Sequence, residues 1–453
     1  MKTKWTLTLV LSILIFTAYT YILYEYPIMY ADSGTYIKNA FNSTLTTNGS
    51  VAYPLYIKFI SLNGYSLWLC VIFQNAILLI SLLLILKLIF KNISCIEYLI
   101  LIILLLPTSL PNYSNAIMTD VFLSISIILI IYLILSKKYG SKAIFGTSVL
   151  LFSIIAHGGY KYIIMLFLAA ISFSYALLQK KYYRKIIFVS SVSLISILIF
   201  NNGLKFLYSN TSSSRVNFGS PYNRMIYKYS RYNLLDNYLK KACHNNFEDQ
   251  YLCTLIPYIE NYPDIVPNSF RGVKQSYNLL SDIDYLNTKI DEKIMKKIFW
   301  DNLFSKTFDE SIIHIIISEI GTSLKRVDNI GLTKPGNKIY IKSIFSNDFN
   351  IGKAHSLLKN RSMSPSLKTI YNLYLYLSIF IALILMIILN KRINKTLLSV
   401  IVLISFFMII NHLFYSTFSN PLNTRYYNRL SWFIPFIAYC LIIDLKSTKQ
   451  IKS

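Results

Sequence analysis

Apolar residues along this chain fall in long unbroken blocks, and the blocks end where Lys and Arg collect. Ten such runs lie near 4–24, 66–86, 96–112, 118–136, 143–157, 161–178, 186–202, 367–390, 396–416 and 429–445. A hydrocarbon core of about 30 Å takes roughly 20 apolar residues in helical form, so each run predicts a transmembrane helix. The third and fifth runs are short enough to be tilted or partly re-entrant, which leaves eight and eleven spans as alternative counts. The pattern predicts an all-α polytopic membrane protein. An N-terminal membrane module of about seven helices covers 1–202, a C-terminal module of about three covers 366–453, and a mainly helical extracytoplasmic domain covers 203–365.

Periodicity changes inside that middle segment. Leu286, Ile290, Ile294 and Ile298 recur every fourth residue with Lys, Asp and Glu between them, which predicts an amphipathic helix that Ser281 and Asp282 are suited to cap. A second helical run, Ile312 to Ile320, stops at Gly321 and is apolar enough to lie on a membrane surface instead. Cys243 and Cys253 are the two cysteines of this segment. In an oxidising compartment they are expected to pair as a disulfide; a metal site with His244 is the alternative, although two further ligands at normal spacing are missing. The first span follows Met-Lys-Thr-Lys with no small-x-small cleavage pattern close behind it, so it reads as an uncleaved anchor.

Composition agrees with the blocks. Of 453 residues, 54% are hydrophobic and 14% charged, where a soluble chain carries roughly a quarter charged. A soluble enzyme, a disordered chain and a secreted disulfide scaffold are all excluded. The net charge of +25 would suggest nucleic acid on a soluble protein. Here residues 202–366 hold 22 bases and 15 acids, and the remainder holds 23 bases against 5 acids. Those excess bases sit in short loops beside the spans, where they encode topology, so no nucleic-acid partner is expected. With both termini cytoplasmic, the inner segments collect 17 Lys and Arg, while the short outer loops hold Lys38, Lys58, Lys161, Arg425 and Arg429.

Outside the large loop there are five acids: Glu25, Asp32, Glu97, Asp120 and Asp444. Glu97 and Asp444 fall at the cytoplasmic edge, and the other three fall on the outer side. Asp32 stands in Tyr-Ala-Asp-Ser-Gly-Thr-Tyr, which is also good turn and cap chemistry. Asp120 enters the fourth span from outside, where a helix dipole favours a negative charge. Cations occur at the same level, in His157-Gly-Gly-Tyr-Lys161 and in Arg425-Tyr-Tyr-Asn-Arg429; each alone is explicable as a snorkelling or capping residue. Together, a cation cluster beside two carboxylates suits binding a lipid-linked phosphate while a carboxylate activates an acceptor. The spans are almost free of charge at their centres, which counts against ion-coupled transport, and polar residues there are scattered, such as Gln74, Asn75, Asn411 and His412.

Asp32 with Tyr36 after the first span, Pro54 before the second, Pro111, Tyr113 and Asp120 opening the fourth, and Arg425-Tyr426 before the last give a pattern that resembles the GT-C superfamily of membrane glycosyltransferases, which use polyprenyl-phosphate sugars. It covers residues 1–200 and 415–445 in outline. The resemblance implies that Asp32 and Asp120 are catalytic, with Asp32 the general base. It implies that His157, Lys161 and Arg425 hold the departing lipid phosphate, and that Tyr36 and Tyr426 contact the sugar. The implied partners are a polyprenyl-phosphate-linked sugar, a glycan, lipid or protein acceptor, and the lipids of a bacterial plasma (inner) membrane. Family members often carry a second acid in the first loop; here a lone Asp32 precedes Ser-Gly, so a divalent cation, Mg or Mn, stays an open expectation. Two alternatives stand beside this reading. One is an envelope polysaccharide polymerase or O-antigen ligase, whose chemistry should depend on Arg or His within 203–365; the other is a transporter or flippase for lipid-linked sugar.

Overall fold

The computed structural model describes residues 2–24, 26–41, 52–136, 140–157, 159–178, 183–208, 292–303, 365–418 and 425–450, with isolated positions at 240, 243, 313, 316, 317, 344 and 345. Among these residues there is no strand. The helices are α1 (Lys2–Tyr24), α2 (Ala31–Phe41), α3 (Ala52–Ile60), α4 (Leu67–Ile89), α5 (Cys95–Leu105), α6 (Leu110–Ser114), α7 (Asp120–Leu135), α8 (Ser141–Ile155), α9 (Tyr160–Leu178), α10 (Tyr183–Tyr208), α11 (Glu292–Asn302), α12 (Pro365–Leu389), α13 (Lys395–Phe418), α14 (Arg425–Asn428) and α15 (Phe433–Gln450). Four stretches, Thr3–Leu23, Leu67–Ile89, Thr369–Leu389 and Lys395–Thr417, are long and apolar enough to cross a membrane. The protein is of the all-α membrane class.

Each apolar run of the sequence falls on helix, but the run at 96–112 is not one helix. α5 ends at Leu105, and the short α6 starts at Leu110. Pro107 cannot donate a backbone hydrogen bond. Around it the chain tightens, with the amides of Leu106 and Thr108 reaching only three residues back, to Ile103 and Leu105. The start of α5 is fixed by a reciprocal cap, in which Ser94 Oγ accepts from the Glu97 amide and Glu97 accepts from the Ser94 amide. The Ser-x-x-Glu spacing is what lets both bonds form.

The chain divides into two compact units. The larger comprises Met1–Val216, Val327–Ile410 and Arg425–Ser453. α7 lies at its centre, for all sixteen residues are buried. A helix apolar on every side belongs inside a protein, and α4, α6, α8 and α10 pack around this one. At about 24 Å, α7 is shorter than the bilayer core. α1 packs on α4 and α5, and α12 packs along α15. One end is tied by Trp5, which stacks edge-on to Tyr98 at 6.1 Å and receives Lys87 Nζ at 3.9 Å over its ring. There Lys446 also pairs with Glu97 at 3.3 Å.

The smaller unit comprises Asn217–Arg326 and Asn411–Thr424. Its described helix outside the 411–424 stretch, α11, covers the C-terminal part of the run whose period predicts a helix. Ile298 and Phe299 are buried on it and Trp300 is exposed. Leu286, Ile290, Ser281, Asp282 and Gly321 lie outside the described residues. Cys243 is disulfide-bonded, whereas Cys70, Cys95 and Cys440 are free thiols; Cys253, its expected partner, lies outside the described residues, as does His244.

Candidate functional site

The segment after α1 does not leave the helical core. Ile28 forms an isolated parallel bridge to Ala116: its amide donates to the Asn115 carbonyl at 3.0 Å, and its own carbonyl accepts from the Ile117 amide at 2.9 Å. Each of the two strand-like segments then starts a helix with an acid in its first turn, α2 with Asp32 and α7 with Asp120. Because the bridge is parallel, both acids lie four residues downstream of it on chains running the same way. The Tyr30 amide donates to Ser33 Oγ at 2.8 Å, which fixes the turn entering α2. Asp32 itself is exposed.

Asp120 is buried, and its partner is Arg429. Arg429 Nη1 donates to Asp120 Oδ1 at 3.0 Å, with both side chains out of solvent. A buried pair of this kind is tolerable only where the charges satisfy one another. Several bonds aim Arg429. Ser124 Oγ donates to the Arg429 carbonyl at 3.2 Å and accepts from the Trp432 indole at 3.3 Å. Ser109 Oγ donates to the Asn428 carbonyl at 2.7 Å, and the Tyr371 hydroxyl meets Ser431 Oγ at 2.5 Å. The turn before α15 is thereby tied to α7, α12 and the segment before α6.

Aromatic rings surround the guanidinium. Its carbon lies 5.4 Å from the Tyr160 ring centre and 5.2 Å from that of Tyr426, inside the range of cation–π attraction. The His157 ring lies 4.6 Å from Tyr160. His157 Nδ1 accepts from the Gly159 amide at 3.0 Å, so a neutral ring carries its proton on Nε2. Lys161, next to Tyr160, is largely buried, with its ammonium 4.9 Å from the Tyr162 ring centre.

Tyr36 reaches the same region through Tyr53. Their rings meet edge-on at 5.1 Å, and Tyr53 meets Phe122 of α7 at 6.0 Å. The Tyr53 hydroxyl donates to Gln74 Oε1 at 2.9 Å, while Gln74 Nε2 donates to the carbonyls of Ser114 and Ala116, both at 3.0 Å. Burial pushes the Tyr53 phenol well above its ordinary range, and Tyr56, Cys70, Tyr36 and the charge of Asp120 push the same way. Tyr53 is therefore a fixed neutral donor. Tyr53→Phe should lower stability by about 1–3 kcal/mol, because Gln74 loses a partner in a buried place; unfolding in detergent against the parent chain measures it.

Of the residues singled out from sequence, Asp120, His157 and Tyr426 are joined through Arg429 and Tyr160. Tyr36 joins through Tyr53, and Lys161 sits beside Tyr160. Arg425 opens α14, four residues before Arg429, and its side chain lies outside the described residues. Among the described residues Arg429 is a cation that engages Asp120, and the sequence offered it only as one of two arginines in a motif. Gln74 and Tyr53 gave a fainter signal, a buried amide inside an apolar run and one tyrosine among 37. Among the described residues no group of three or more His, Cys, Asp or Glu side chains gathers as a metal site.

No family model, no curated protein and no solved structure matches this chain.

Proposed function

We propose that this chain is a membrane glycosyltransferase that moves a sugar from a polyprenyl-phosphate donor to an envelope glycan, lipid or protein on the outer face of the plasma membrane. In this reading the ten apolar helices thread the bilayer with both termini cytoplasmic, and 203–365 lies outside. The observation that carries it is the parallel bridge at Ile28 and Ala116, which starts the two acid-bearing helices from one point. A carboxylate on an exposed helix turn and a buried, ion-paired one give two acids in different environments, as acid–base chemistry needs.

Asp32 takes the proton of the acceptor hydroxyl as its oxygen attacks the anomeric carbon. The new carbon–oxygen bond forms as the bond to the phosphate oxygen breaks, and the electron pair leaves on polyprenyl phosphate. Single displacement inverts the sugar carbon. Lys161 and Arg425, with His157, hold the phosphate as charge develops on it. Asp120 keeps Arg429 and its aromatic neighbours in place, and Tyr36 and Tyr426 contact the sugar. No step is routed through a metal.

The transporter alternative loses ground at Gln74, whose amide is spent on Tyr53 and two carbonyls of its own chain rather than lining a polar path. The test uses the full chain in vesicles with a panel of polyprenyl-phosphate-linked radiolabelled sugars and an envelope extract as acceptor. Donor-dependent label in the extract, with release of polyprenyl phosphate, is the expected result. Consumption of none of the donors, or of nucleotide sugars instead, would sink the reading.

A further inference from the structure

α3 is a helix of two unlike faces. Tyr53, Pro54, Tyr56 and Ile57 are buried. The opposite side shows Leu55, 43% exposed, and Phe59, 70% exposed, and the turn beyond continues it with Leu62 at 66% and Tyr65 at 64%. Leu55 and Phe59, four residues apart, share one side of the helix. Leu62, Asn63 and Gly64 all take positive φ, turning the chain sharply from α3 into α4. Gly64 has φ +98°, and a Cβ there would stand 2.9 Å from Ile344 Cγ2, so the turn is closely held.

The level of this face relative to a bilayer can be read from its neighbours. α4 is long and apolar enough to span, and Ser66 caps its start. Trp68 meets Tyr21, near the end of α1, edge-on at 5.8 Å, an aromatic pair of the kind that marks a membrane–water boundary. α3 packs beside the first turns of α4: the Tyr56 hydroxyl donates to the Cys70 carbonyl at 2.6 Å, and Tyr53 reaches Gln74. Gln74 is seven residues into α4, about 10 Å along its axis. Interfacial helices bury their apolar face about 5–10 Å into the headgroup and acyl boundary. Ile72 and Phe73, at the same level of the spanning helix, are exposed as well.

We propose that α3 and the turn after it form an interfacial anchor, lying in the leaflet that holds the start of α4, with Leu55, Phe59, Leu62 and Tyr65 among lipid chains. Lys58, exposed on the same short helix, extends its ammonium to lipid phosphates. The occupant of this face is lipid, not a second copy of the chain. The anchor holds Tyr53 and Gln74, and through them the segment leading to Asp120, at a set depth. It follows from exposure and packing alone and stands whether or not the chain transfers sugars.

The test is spin labelling of the full chain in phosphatidylethanolamine–phosphatidylglycerol vesicles. Phe59→Cys and Leu62→Cys are labelled in a Cys95→Ser background, with Ile72→Cys as the spanning-helix reference, and the equally treated background chain is subtracted. Collision with oxygen, which partitions into lipid, should exceed collision with a water-soluble nickel chelate at Phe59 and Leu62, approaching the ratio seen at Ile72. A ratio below one at both positions, with Ile72 still lipid-facing, would place the helix in water and overturn the proposal. Shielding from both reagents with spin–spin broadening would mean a covering protein copy and would overturn it equally. Both substitutions fall on exposed side chains, so folding should survive, and two positions guard against one failing.

Discussion

Asp120→Asn should destabilise the protein by about 3–5 kcal/mol, because it removes the carboxylate that the buried Arg429 guanidinium meets. Arg429→Gln should cost a similar amount for the mirror-image reason. The double variant should recover much of the loss, since two neutral amides at the same separation need no charge desolvated. Coupling is expected because the pair joins residues 309 positions apart at 3.0 Å, with side chains 0% and 3% exposed. Arg429→Lys should not rescue, as a compact ammonium cannot replace a planar guanidinium held near the Tyr160 and Tyr426 rings. Unfolding of the four proteins in one detergent decides it. Single losses under about 0.5 kcal/mol, typical of surface substitutions, would mean water reaches the pair; a double loss equal to the sum of the singles would mean no coupling.

Asp32→Asn should reduce sugar transfer by about 100- to 10,000-fold, the range over which a positioned general base contributes. The amide keeps shape and hydrogen-bonding capacity but cannot take a proton. Asp32 is exposed on the first turn of α2, so expression, membrane insertion and thermal unfolding should match the parent. That separates it from Asp120→Asn, where activity and stability fall together. Transfer within a few-fold of the parent would remove Asp32 as the base. If the loss instead followed substitution of Arg or His within 203–365, the polymerase reading would replace the one proposed.

Helix positions were legible to within a few residues wherever a long apolar run met charge. α1, α4, α12 and α13 are cases, for excluding polar groups from lipid leaves a mark that neighbours cannot erase. The mark failed at 96–112. Apolarity there continues through Leu104, Leu105 and Leu106 while Pro107 ends the helix, and the five described residues of α6 follow as a separate piece. α7 shows the opposite limit. Its apolar run reads as a membrane span, and every residue is buried within the protein, since hydropathy does not distinguish lipid from protein as the apolar neighbour.

The candidate site was half legible. Asp120 stood out because an acid just inside an apolar run is costly, and His157 and Tyr426 because they flank the right spans. Which arginine answers Asp120 was not decided by composition or spacing, since Arg425 and Arg429 sit on one short motif. The Arg429 pairing rests on Ser124 and Ser109, which hold the Arg429 and Asn428 carbonyls and so place that side chain.

From residue order alone, then, come the membrane class, the helical runs and the side chains whose charge is out of place, since each depends on transfer between water and lipid and so on local chemistry. Pairing is another matter. That Asp120 meets Arg429, that Ile28 lies against Ala116, and that Gln74 serves Tyr53 and two carbonyls are decided by packing, because a buried polar group takes whichever partner the surrounding helices bring within about 3 Å.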